Sequence, residues 1–150
     1  MTEALLAFVH ISAILGWVVF ASSQAALCRQ DWFNAAVLRR LRRLDAILWT
    51  ATAAVLLTGL ARTVWGARGL GWYWSNSLLH LKLTLFVVVI ALMTGPTRRL
   101  ARWQAALNAG GALPGADEIR ATRWRIMLTT HLVALIPLAA VFLARGYGGH

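Results

Sequence analysis

Acidic residues are scarce: the 150 residues include 5 Asp and Glu against 15 Lys and Arg, a formal charge of +10. Charge of either sign is also thin, at 13% of the chain, where an ordinary soluble domain carries about 25%. Hydrophobic residues rise to 59%, against roughly 45–50% in soluble domains, which excludes a surface covered by water. The apolar remainder must face lipid, so the composition is that of an integral membrane protein. Lysine is nearly missing, with Lys82 alone, so the basic excess is arginine placed between apolar runs. That placement points to anionic lipid headgroups as partners and away from nucleic acid. Cys28 is the single cysteine, which excludes an intramolecular disulfide and leaves no thiol cluster for a metal. There is no close carboxylate pair, phosphate loop or nucleophile elbow, so hydrolytic and nucleotide-driven chemistry have no support.

Four long apolar runs are present. Residues 4–27 contain no Lys, Arg, Asp or Glu and exceed the roughly 20 residues that cross a hydrocarbon core of about 30 Å. Glu3 is the only early charge, unlike the basic start of a cleavable signal peptide. A second span runs from Asp45 past Arg62 to about Trp65. The third begins at Ser77, contains Lys82, and is expected to stop at Gly95-Pro96, because proline cannot continue the helical ladder. The fourth lies between Arg125 and Arg145, and Pro137 predicts a kink in it.

The sequence therefore predicts an all-α fold over 1–150, a single integral membrane domain with four transmembrane helices at about 4–27, 45–65, 77–95 and 125–145. The bundle runs up-down-up-down. Eleven arginines lie in segments 28–44 and 96–125, whereas Arg62, Arg68 and Arg145 fall on the opposite face. By the positive-inside rule the Arg-rich segments are cytoplasmic and both termini extracytoplasmic, in a multi-pass protein of the cell inner membrane. In the first cytoplasmic loop, residues 31–44 read as an amphipathic interfacial helix. Val37, Leu38, Leu41 and Leu44 share its apolar face, and the RRLRR run lies opposite. Residues 106–116, rich in Gly and Ala, read as a linker. Trp65, Trp72, Tyr73 and Trp74 suit an aromatic belt, and the last three, with Gly69 and Gly71, are also placed to roof a cavity.

Ionisable groups inside spans are costly and call for a partner or a purpose. His10, His80, Lys82 and His131 qualify, with Arg62 at an edge. At about 1.5 Å rise per residue, His10 and Lys82 lie roughly 8–9 Å below the outer face, with His80 slightly shallower and Arg62 able to reach the same level. His131 enters from the other side and belongs to a different site or to none. His10, Trp17 and Gln24 recur every seven residues, a seam expected to face the bundle interior. His80 and Lys82 diverge by about 200° on their helix. Small and polar neighbours, Asn76, Ser77, Thr84, Ala91 and Thr94, favour His80 as the inward group, which leaves Lys82 snorkelling to the interface. Two inward histidines, His10 and His80, suit a metal or haem iron, with Arg62 or Lys82 neutralising propionates. The alternative is that each histidine only bonds a helix carbonyl or a neighbouring hydroxyl. Asp45 reads as a partner for an arginine of the RRLRR run.

The opening TEALLAFVH, the RRLRRLD run leading into LTGLAR, the turn GLGWYWSN followed by LLHLKL, and the closing HLVALIPLAAVFLARG carry a resemblance. They are similar to a superfamily of small four-helix membrane proteins that includes the HemJ-type protoporphyrinogen oxidases and the CopD-type copper-resistance proteins. The closest likeness is to an uncharacterised family of predicted membrane proteins within it. The resemblance covers most of the chain. It implies a b-type haem, a redox role, and function for a histidine of the first helix and a lysine of the third, matched here by His10 and Lys82. His80 fits the usual histidine two residues before that lysine. HemJ-type proteins also tend to carry a histidine late in the third helix and an Asn-Glu-x-Pro motif before the fourth. Residues 91–94 and 127–130 read ALMT and MLTT instead, so the resemblance implies haem binding more firmly than it implies the six-electron oxidation of protoporphyrinogen IX. Copper handling of the CopD type finds few soft ligands, with three Met and one Cys. The alternative function is a non-catalytic membrane module or a small-solute or metal transporter, and a homo-oligomer is compatible with either.

Overall fold

In the computed structural model, residues 2–65 and 70–147 are described, and they form helices α1 (Thr2–Leu27), α2 (Ala35–Val64), α3 (Leu70–Ser75), α4 (Ser77–Asn108), α5 (Ala116–Val133) and α6 (Leu135–Ala144). No strand occurs among the described residues. Four stretches are long and apolar enough to cross a membrane: most of α1, α2, α4, and α5 with α6 taken together. The fold is the four-span helical bundle that the composition requires, and their lipid side carries exposed Phe8, Leu15, Leu57, Val87 and Leu138.

Residues 31–44 do not form a separate helix on the headgroups. A 3-10 turn at Gln30–Trp32 is followed by Asn34, whose side chain accepts from the N–H groups of Ala36 and Val37 at 2.9 and 3.0 Å. That cap satisfies two donors that a helix start leaves orphaned, so α2 begins at Ala35 and runs through the arginines into the span unbroken. The apolar face is there, but Leu38 and Leu41 are fully buried against Cys28, Leu100, Trp103, Ile119 and Ile126 and not against lipid.

Pro96 does not end the third span either; α4 continues through it to Asn108. Pro96 is buried among the spans, and the preceding Gly95 imposes no side chain on the turn that must accommodate the proline ring. Pro137 does interrupt its span. Its missing N–H and its ring act on the carbonyl four residues back, and α5 stops there, at Val133. Ala134 closes the end by donating to the His131 carbonyl at 3.1 Å, and α6 resumes at Leu135.

At about 1.5 Å per residue, α2 and α4, with 30 and 32 residues, are roughly 45 and 48 Å long, well over a hydrocarbon core of about 30 Å. The surplus accounts for two cores. One, with Trp17, Ala21, Leu48, Val89, Met93 and Val133, sits between the spans. The other is the Cys28, Leu38, Leu100 and Trp103 cluster at the Arg-rich end. Residues 109–115 turn α4 back into α5. Gly110 adopts a positive φ of 78°, and a β-carbon on Gly111 would come within 2.9 Å of the Ala106 carbonyl oxygen, so both positions need glycine. Arg68, Gly69 and His150 lie outside the described residues.

Candidate functional site

The site is at the end of the bundle opposite the arginine clusters. α1 presents His10 toward α2, where its Nδ1 lies 2.8 Å from the Thr58 hydroxyl. Thr58 has one hydroxyl proton, and that proton goes to the Ala54 carbonyl at 2.6 Å. Thr58 must therefore accept from His10, which puts the imidazole proton on Nδ1 and leaves Nε2 with a lone pair. No hydrogen bond engages Nε2 among the described residues. One residue on, a β-carbon at Gly59 would sit 3.2 Å from His10 Cε1, so the glycine lets the ring lie against α2.

His10 and Lys82 both line an apolar cavity of about 70 Å³ between the spans, closed in part by Trp17, Phe86, Val133 and Pro137. Above it, a more polar space of about 90 Å³ is lined by His10 and Lys82 again, together with Arg62, Thr63 and Tyr73. Arg62 and Lys82 have no carboxylate partner among the described residues, where the ion pairs are Arg29–Asp31, Arg42–Asp45 and Arg120–Asp117. Two cations thus share the mouth of an apolar cavity with an imidazole whose lone pair is free. Such a site can take an anionic group at its mouth and an electrophilic centre, a metal or a proton, at His10.

The structure separates the two histidines that the helix faces had paired. His80 is exposed, its Nε2 is 2.8 Å from the Trp74 carbonyl, and its ring meets that of Trp74 edge-on. Lys82 is the inward group. The small-residue face of α4 looks outward at Thr84 and Ala91, and the bulky face with Phe86, Val89 and Met93 packs inward. Lipid tails are as apolar as leucine, so association of the spans rests on van der Waals packing and interhelical hydrogen bonds, and here the bulky face supplies the packing. His131 is exposed on α5 with Nδ1 2.7 Å from its own helix's Met127 carbonyl, away from both cavities. His80 and His131 therefore satisfy the plain reading of a histidine bonding a carbonyl.

Two further residues, Thr58 and Gly59, belong to the site and were not singled out from the sequence. The available signal was their position one turn before Arg62 in an otherwise apolar span. α3 brings Tyr73 and Trp74 over the two cavities. It is held there by Asn76, which caps α4 by accepting from the Leu78 N–H at 2.9 Å and donates to the Tyr147 carbonyl at 3.1 Å.

Comparison with curated proteins and with solved structures gives no match. The four apolar spans agree with the one relationship that the comparisons establish: over residues 2–148 the chain matches, and belongs to, the DUF2214 family of predicted membrane proteins.

Proposed function

We propose that this multi-pass membrane protein binds haem b in the cavity at the Arg-poor end and serves a redox role there, with His10 as axial ligand and Lys82 and Arg62 toward the propionates. The observation that carries the reading is the Thr58-fixed tautomer of His10, which leaves an imidazole lone pair unused beside an apolar cavity and two unpaired cations. Neutral imidazole is a good iron ligand, and a partner on the other ring nitrogen is the usual way of orienting it. Guanidinium and ammonium groups suit carboxylates. The donor set fits the group.

Space fits it in a restricted way. A volume of about 70 Å³ is below the roughly 300–1,000 Å³ of a typical ligand pocket. The wall, however, includes Leu56, Leu60 and Trp74, all exposed on the outside of the bundle, so the cavity opens sideways to the acyl chains. A flat amphiphile is then held by its polar groups inside and its apolar rim in lipid. The haem would supply one-electron chemistry when bound, and this chain's residues would ligate it, neutralise it and keep water away. The likeness to HemJ-type proteins in the His10 and Lys82 segments supports the same assignment. By the positive-inside rule the charge asymmetry would put the arginines in the cytoplasm and the site toward the extracytoplasmic face of the inner membrane.

The test is optical. Protein expressed with haem supply and purified in detergent should give Soret and α bands in a reduced-minus-oxidised spectrum. His10→Ala should remove or shift them, whereas His80→Ala and His131→Ala leave them unchanged. A colourless protein under haem-replete expression overturns the reading, and an unchanged spectrum in His10→Ala overturns the ligand.

A further inference from the structure

At the Arg-rich end of the spans lies a second buried polar site that shares no ionisable residue with the first. Gln24 of α1, Asp45 of α2 and Thr129 of α5 are only 4, 5 and 4% exposed. With Thr130 and Pro96 they line a small pocket of about 20 Å³, partly open to the outside of the bundle. Asp45 uses one carboxylate oxygen on Arg42 at 3.3 Å, the partner expected from the RRLRR run, and the other on the Thr97 hydroxyl at 2.8 Å. Thr97 in turn accepts from the Trp49 indole at 3.0 Å. The Gln24 amide faces this carboxylate and interacts with it at long range, but its Nε2 has no acceptor at full hydrogen-bonding distance. A buried, unmatched N–H group costs about 1–3 kcal/mol, so the amide is short of an acceptor.

The donors and acceptors around the pocket specify what fills it. Nε2 of Gln24 offers protons only. The hydroxyl protons of Thr129 and Thr130 are committed to the Arg125 and Ile126 carbonyls, each at 2.8 Å, so both threonine oxygens offer lone pairs only. Asp45, with two oxygens and roughly four acceptor positions, has capacity left beyond Arg42 and Thr97. The guest must therefore accept from Gln24 and donate to Asp45 or a threonine. A metal cation cannot accept from the amide, and an anion is repelled by the carboxylate. A water molecule does both, and it needs about 10–15 Å³ and two to four polar partners. The pocket meets each requirement.

We infer that Gln24, Asp45 and Thr129 hold one water molecule between them, making Asp45 a hydrated, proton-exchanging carboxyl group inside the bundle. A proton arriving on that water passes to the carboxylate with one O–H bond formed and one broken, and returns by the same route. The charged group facing Asp45 from its own helix is Arg42, 36% exposed, which leads to the Arg-rich face. From α1 and α4 the facing groups are the neutral Gln24 and Thr97, and on α5 the exposed Arg125 lies against Gly95. Trp17 lines both this pocket and the His10 cavity, and its indole N–H is tied to Thr52 at 3.0 Å, so it stands as a partition between the two sites. The inference holds whether or not the other cavity takes a pigment.

Radiolytic hydroxyl-radical labelling of the intact protein in detergent, read by mass spectrometry, tests it. Met93 lines the pocket and is only 7% exposed, so radicals from bulk water reach it poorly, whereas an adjacent bound water generates them in place. Met93 should be oxidised in the wild type and several-fold less in Gln24→Leu, which removes the donor and fills the space. Met127, 37% exposed on α5, should be labelled equally in both and reports an intact fold. Thr129→Val, which keeps the volume and removes an acceptor, should lower Met93 labelling in the same direction. Unlabelled Met93 in the wild type, or equal labelling in all three proteins, overturns the site.

Discussion

The imidazole of His10 rests on the α2 backbone at Gly59, 3.2 Å from where a β-carbon would stand. Its Nδ1 is fixed by the adjacent Thr58, so the ring has little room to withdraw. Gly59→Ala should gain about 1 kcal/mol of helix propensity and lose a comparable amount to crowding, for a net change near zero. In a His10→Ala background the crowding disappears, and the same substitution should stabilise by about 1 kcal/mol. Unfolding in detergent of the two single variants and the double variant measures this coupling. Equal effects of Gly59→Ala in both backgrounds would show that the contact carries no energy.

Orientation has a direct check. A reporter fluorescent only in the cytoplasm, fused after residue 150, should stay dark, and one inserted at Gly110, in the turn between α4 and α5, should be bright. Recruiting arginines to the Arg-poor face, for example by Ser75→Arg with Gly71→Arg, should produce a mixed population, because the arginine bias sets the topology.

Cys28 lies between the spans, fully buried, with its thiol 3.8 Å from the Ile119 carbonyl. Burial pushes its pKa up to about 11. The thiolate is the reactive form, so at pH 8 only about a thousandth of it is nucleophilic. Maleimide should label Cys28 slowly in the native protein at that pH, faster as pH rises toward 11, and at once after unfolding in detergent. Rapid native labelling at pH 8 would mean that the Arg-rich core is open.

Much of the fold is legible in the sequence because lipid imposes a crude filter: apolar runs of sufficient length are expected to span, and all four fold as helices long and apolar enough to do so. The ends of those runs are less legible. Pro96 and the RRLRR run both read as boundaries, yet helix continues through each. The bundle supplies partners that a one-dimensional pattern does not show, a buried seat for Pro96 and a second core under Leu38 and Leu41. The candidate site was legible at His10, whose seven-residue spacing with Trp17 and Gln24 marks the inward face, and at Arg62, whose depth matches. The helix-face reading put His80 inward, whereas the small face of α4 is exposed at Thr84 and Ala91 and the contact is made by the bulky face with Val89 and Met93. Thr58 and Gly59 act through one proton and one missing methyl, details that periodicity does not register.

The surplus length of α2 and α4 also bears on the bilayer itself. A helix whose far end packs against its neighbours under Leu38 and Leu41 is restrained in how far it can tilt to match a thinner or thicker membrane.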